Sequence, residues 1–208
     1  MKIHSLKADR GETLRLASDV AVISHIASDK DKRPCAGCRL ACACSQSPSC
    51  TCGCSARCSH LTRKLSSDPD RFPLESGITP LVYTINSFRV LTPCWSCEGH
   101  TNDAGALIKL PSVWFYSSSA GLPRLLVEYS NHLYGYHEIK HEWGVEILAF
   151  GDAMQTTYAL RPNLSLTEGA RLTDLRDDIL CLADTLFSGV QSLARERAME
   201  LDRELAND

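Results

Sequence analysis

The chain has 208 residues, of which 44% are hydrophobic, and a formal net charge of −3 at pH 7. These values are typical of a globular protein that forms its own core, and no run of about 18 apolar residues predicts a membrane-spanning helix. Asp9, Glu12 and Arg15 interrupt the region where a signal peptide has its apolar run, so we expect a cytoplasmic protein. Cytoplasmic thiols are kept reduced, and a cysteine cluster there more often binds metal than forms disulfides.

The first predicted element is an amphipathic helix. Leu16, Val20, Ile23 and Ala27 recur at spacings of three and four residues, which places them on one helical face. We therefore assign residues 1–33 to an N-terminal helical segment.

A cysteine-rich zinc-binding module is predicted next, over residues 34–62. Between residues 35 and 60 Leu40 is the only large aliphatic residue, so metal bonds must replace a hydrophobic core. Neighbouring thiols in the Cys-x-Cys pairs are poorly placed for disulfides. Eight thiolates and one imidazole can bind two zinc ions, or three if some thiolates bridge. The predicted ligands are Cys35, Cys38, Cys42, Cys44, Cys50, Cys52, Cys54, Cys58 and His60.

Charge and spacing bear on the identity of this module. Residues 29–64 contain seven Lys and Arg against two Asp, and these cations would offset the negative charge of a zinc–thiolate cluster. A nucleic-acid surface is the less favoured explanation, because the segment has no aromatic side chain to stack on a base. An iron–sulfur cluster is also less favoured, since it would use only four of the cysteines. The segment locally resembles the zinc–thiolate clusters of metallothioneins and of the cysteine-rich modules beside SET domains, although its spacing differs from both.

The pattern after this module predicts a small two-layer α/β sandwich over residues 63–163, in the order α-β-β-α-β-β. The predicted elements are a helix over 81–91, a strand that ends near Cys97, a strand over 110–118, a helix over 123–135 and strands over 143–149 and 157–161. The predicted core includes Trp114, Phe115, Leu125, Leu126, Ile147 and Leu175.

A long C-terminal helix is predicted over residues 164–208. Ser165 to Glu168 match a capping box, which places the start of the helix there. An apolar stripe then runs from Leu172 to Leu201, and it packs either on the protein's own sheet or against a partner helix in an oligomer. The fold class is therefore α+β, with the cysteine-rich metal-cluster module N-terminal to the sandwich.

Two further motifs carry candidate chemistry. Cys94, Cys97 and His100 are predicted to add metal ligands; the alternatives are a catalytic site formed by Cys97, Glu98 and His100, or buried structural cysteines. The segment 137–141 matches the H-E-x-x-H pattern of zinc proteases, which requires a helix. Gly135 should end the preceding helix and the following residues alternate like a strand, so we predict no shared zinc there.

The sequence thus predicts a zinc-cluster protein that acts as a binding or regulatory module with a protein partner and without membrane contact. Closed thiolate sites leave no coordination position for a substrate. The alternatives are an enzyme with a site around Cys97, Glu98 and His100, and an iron–sulfur protein.

We predict that the segment from Cys35 to His60 binds two or three zinc ions through at least seven of its eight cysteines. Native mass spectrometry of protein purified without added metal measures the number of ions per chain. Bound iron with acid-labile sulfide, or a metal-free chain with paired disulfides, would contradict this prediction.

Overall fold

The computed structural model describes residues 10–25, 70–71, 73–88, 90–117, 121–150, 156–166 and 169–207. Within these ranges the helices are α1 (Arg10–His25), α2 (Thr79–Ser87), α3 (Gly121–Gly135) and α4 (Leu172–Asn207). The strands are β1 (Leu91–Cys97), β2 (His100–Thr101), β3 (Leu107–Lys109), β4 (Ser112–Ser117), β5 (Trp143–Phe150) and β6 (Thr156–Pro162). The predicted ligands from Cys35 to His60, as well as Ala27, lie outside the described residues.

An antiparallel four-stranded sheet is formed in the order β1-β4-β6-β5, and β2 and β3 form a separate hairpin. Side chains alternate between the two faces along β4. Val113 and Phe115 are buried on the inner face, whereas Trp114 and Tyr116 lie on the outer face. The inner face is therefore the one that builds the core.

Helices cover the inner face of the sheet. α2 packs against β1 and α3 against β5, and α4 packs against α1, α2 and α3. The α+β class and the long C-terminal helix are confirmed, and the elements follow the predicted order with the hairpin β2–β3 added. α2 is shorter than predicted, because Leu91 already begins β1. Among the helices of the described residues, none combines the length and apolar character needed to cross a bilayer.

The apolar stripe of α4 is buried within the chain. Leu175, Ile179, Leu182, Leu186 and Val190 are all fully covered. The partners of α4 are mainly the helices α1, α2 and α3 of the same chain, whereas the two predicted partners were the protein's own sheet and a helix of another chain. These residues are therefore already occupied by intramolecular packing.

The start of α4 differs from the prediction. The helix begins at Leu172 and not at the capping box, because Gly169 has a φ of +72°, which no α-helix accommodates. Asp174 in the first turn accepts hydrogen bonds from Arg171 and Lys140. Hydrogen bonding to Arg171, followed by that to Lys140, lowers the pKa of Asp174 to about 2.

Most of the predicted core is confirmed. Phe115, Leu125, Leu126 and Leu175 are buried. The prediction for Ile147 is wrong, since it is 62% exposed, and Trp114 is only partly buried on the outer face. Ile147 pairs regularly with Tyr158 before the register shift, so it lies on the same face as Trp143 and Val145. It is exposed because it lies on the edge strand β5, further along the strand than the buried Trp143.

As predicted, the segment around the H-E-x-x-H match does not form a helix. α3 ends at Gly135, His137 has a positive φ of 60°, and β5 begins at Trp143. The ring of His141 instead contacts Asp178 of α4, with 2.7 Å between Nδ1 and Oδ2. The helical frame that a protease zinc site requires is therefore missing from this segment.

Asp178 holds this connection to α4 from within the core. Its side chain is 1% exposed, and its carboxylate accepts hydrogen bonds from the backbone N–H groups of Lys140 and His141 at 2.7 and 3.2 Å. Trp143 Nε1 donates a third at 3.4 Å. One buried carboxylate thus satisfies donors that would otherwise be buried without a partner.

We predict that Asp178→Ala lowers the free energy of unfolding by about 3–5 kcal/mol, because it leaves several buried donors without an acceptor. Asp177→Ala is the matched control: Asp177 is exposed on the same helix and lies 3.4 Å from Lys140 Nζ, so its loss should cost less than about 1 kcal/mol. Urea unfolding followed by circular dichroism measures both. Equal effects of the two substitutions would contradict the role given to Asp178.

Candidate metal centre

Three potential metal ligands converge from two parts of the chain. Cys97 ends β1, His100 begins β2, and Glu75 lies in the turn before α2. Their ligand atoms all lie within 4.8 Å of one another. His100 Nε2 is 3.1 Å from Glu75 Oε1. Sulfur, imidazole nitrogen and carboxylate oxygen are the three donor types that zinc uses in proteins.

The turn between Cys97 and His100 depends on a glycine. Gly99 has a φ of +84°, in the left-handed region that L side chains rarely adopt. A Cβ at this position would also lie 2.8 Å from Leu172 Cδ1 and 3.1 Å from the Lys109 carbonyl oxygen. The Gly99 N–H donates a hydrogen bond to the Cys97 sulfur, so the turn that brings the ligands together also stabilises a thiolate.

Backbone amides hold the two parts of the site together. The N–H of Glu98 donates to Glu75 Oε2 at 2.7 Å, and the N–H of Gly77 donates to Glu98 Oε2 at 2.6 Å. Arg176 of α4 donates to the other Glu98 oxygen at 3.1 Å. Glu98 therefore fixes the turn that carries Glu75, while the carboxylate that faces Cys97 and His100 is that of Glu75.

The three donors differ in their exposure. Cys97 is 2% exposed, whereas the side chains of Glu75 and His100 are partly exposed. Burial, with a further contribution from the negative charge of Glu75, raises the pKa of the Cys97 thiol, while the Gly99 N–H and Lys109 act in the opposite direction. A metal ion would enter from the Glu75 and His100 side and displace the thiol proton.

Of the three predicted ligands that lie within the described residues, the structure brings two together. Cys97 and His100 lie in the group, and Glu75 joins them although it was not predicted. Cys94 lies outside the group on an exposed part of β1, where it hydrogen-bonds to Tyr116. Cys181 also lies outside, on α4, where burial raises the pKa of its thiol.

No family model, curated protein or solved structure matches this chain. The assignment of the site therefore depends on its geometry and on the chemistry of its donors.

We predict that Gly99→Ala both destabilises the protein and lowers its metal content. The substitution imposes a left-handed conformation on a residue with a Cβ, at about 1–2 kcal/mol, and adds a clash of about 1–3 kcal/mol. Gly105→Ala is the control, because Gly105 has a φ of +78° but no atom within 4 Å of the position that its Cβ would take. Thermal unfolding measures the stability of both variants, and metal analysis measures their metal content. A Gly99 variant that is as stable as the Gly105 variant would contradict the close packing at the turn.

Proposed function

We propose that this chain is a zinc-binding protein that acts as a binding or regulatory module, with structural metal sites. In this proposal a cysteine-rich metal-cluster module at residues 34–62 joins a two-layer α/β sandwich in a cytoplasmic protein with a protein partner. The observation that carries it is the convergence of Glu75, Cys97 and His100 within 4.8 Å. Their site is a further metal centre within the α/β part of the chain.

The donor set favours zinc over harder cations. Ca²⁺ and Mg²⁺ prefer oxygen ligands, whereas a thiolate with an imidazole suits zinc. In a tetrahedral zinc site, ligand bonds of 2.0–2.3 Å place the donor atoms about 3.3–3.6 Å apart. The distance of 3.1 Å between His100 Nε2 and Glu75 Oε1 is close to this range, so small side-chain rotations would give a tetrahedral arrangement.

A structural role agrees with the surroundings of the site. The hairpin β2–β3 buries little apolar surface beyond Leu107, so a metal would fix it to the turn before α2. Cys97 is almost inaccessible, and Glu98 is engaged by Gly77 and Arg176. The three donors do not line a groove: none of them lies in the groove beside Gly169 and Leu172 or in the groove beside Trp95 and Trp114.

An enzyme is the second candidate, because three protein donors leave one tetrahedral position for water, as in catalytic zinc sites. Cobalt substitution distinguishes the two roles. Added azide would change the visible spectrum of bound Co²⁺ at an open coordination position and leave that of a closed structural site unchanged. A spectral change on addition of azide that is absent in the Cys97→Ser variant would favour the enzyme.

We predict that Cys97→Ser lowers the zinc content of the full chain by one ion and leaves the ions bound by the cysteine-rich module in place. Cys94→Ser and Cys181→Ala are matched controls that should retain the wild-type number, because neither thiol lies in the group. Native mass spectrometry under identical purification gives the stoichiometry. If the Cys97 variant binds as many ions as the wild type, the metal centre proposed here is absent.

A further inference from the structure

A groove of about 370 Å³ lies on the outer face of the sheet, which no helix of the described residues covers. It extends from β1 and β3 across β4 to β6. Apolar and aromatic side chains form its walls, and two cations lie at its margins. The residues that matter for its chemistry are Trp95, Ile108, Lys109, Ser112, Trp114 and Arg161.

The walls of the groove present an aromatic surface. Trp95 and Trp114 are neighbours on β1 and β4, with ring centroids 4.6 Å apart and planes tilted by 48°. Trp95 is 40% exposed, and Lys109 Nζ lies 4.8 Å from the centroid of its ring. This ammonium takes the place on the ring that a planar ligand would occupy.

Two polar groups in the groove have no hydrogen-bond partner within the described structure. Ser112 is 6% exposed, and its hydroxyl oxygen is unpaired. Arg161 pairs with Glu146 through Nη2 at 2.9 Å, yet its buried Nε–H remains without an acceptor. Buried polar groups rarely remain unpaired in folded proteins, so both point to an acceptor that a ligand supplies.

We infer that this groove binds single-stranded nucleic acid. A base stacks on Trp95 beside Trp114 and accepts hydrogen bonds from Ser112 and Arg161. Lys109 moves from the ring to a phosphate. The exchange is favourable because an exposed cation–π contact contributes less than a stacked base.

A strand fits better than a free nucleotide because the aromatic surface continues beyond the groove. Tyr116 follows Trp114 by two residues on the same face of β4 and is exposed. Two residues of a strand span about 7 Å, which gives room for a second base. The ammonium of Lys109 complements a phosphate beside the stacked base, whereas Arg161 stays paired with Glu146 and donates to the base.

The test uses the full chain and a fluorescein-labelled oligodeoxythymidine, with binding measured by anisotropy and by quenching of tryptophan fluorescence. Trp143 is fully buried and serves as an internal reference for the emission of the two groove tryptophans. Trp95→Ala should weaken binding between about 5- and 150-fold, and Trp95→Phe should restore most of it, because a phenyl ring still stacks.

Two controls separate the groove from general effects. Tyr136→Ala removes an exposed aromatic residue in the turn after α3 that does not line the groove, so it should leave the affinity unchanged. Glu146→Gln breaks the pair with Arg161 without removing a groove residue, so it should not weaken binding, whereas Arg161→Gln should. Metal content and thermal unfolding of each variant show whether it remains folded.

Salt dependence identifies the surface that binds. With one phosphate contact, at Lys109, raising the salt from about 50 to about 200 mM should lower the affinity about 2.6-fold. A loss of several hundredfold that Trp95→Ala does not alter would assign binding to the basic residues of the cysteine-rich segment and overturn the inference. So would equal affinity for a free nucleoside monophosphate or for duplex DNA, or no binding of the oligonucleotide by the wild type.

Discussion

The bulge at Cys94 decides which side chains of β1 face the core and which face outward. Pro93 pairs with Phe115, but Trp95 pairs with Trp114, so one extra residue enters β1 between them. A one-residue shift exchanges the two faces of a strand. Trp95 and Cys97 consequently lie with Trp114 and Ser112 on the outer face of the sheet.

Without this bulge the regular alternation from Leu91 would direct Cys97 and Trp95 toward the helices. The thiol could then not meet Glu75 and His100, and a tryptophan would compete for space with α2, which packs against β1. The bulge therefore serves the candidate metal centre and the aromatic groove together. Bulges often re-aim side chains beside functional sites in this way.

Periodicity in the sequence was sufficient for the main elements of the fold but not for their irregularities. The stripe of α4 and the alternation in β4 extend over many residues, so they predict the helix, the strand and buried residues such as Phe115 and Ile179. The predicted start of α4 was wrong because the positive φ of Gly169 interrupts the helical conformation after the capping pattern. The predicted burial of Ile147 was wrong because alternation gives the face of a strand but does not show that an edge strand is uncovered at that position.

The candidate site was predictable only where its ligands are close in sequence. Cys97 and His100 flank a glycine at the spacing of a chelating turn, and that local pattern identified them. Glu75 lies in a turn-rich segment without periodicity, and only the tertiary contact with the Glu98 N–H brings its carboxylate to the site. Cys94 belongs to the same local motif, but the bulge directs it toward Tyr116 instead. Spacing alone contains no information about the bulge.

Lys109 connects the two outer-face sites physically. Its ammonium lies over the ring of Trp95, and its positive charge acts to lower the pKa of the Cys97 thiol. A divalent ion on Cys97 would replace that attraction between ammonium and thiolate with the repulsion of two like charges. The ammonium would then be released toward the groove, where a phosphate offers it a counter-charge. Metal binding would thus favour an anionic ligand in the groove through the charge of one side chain, without requiring any change in the fold.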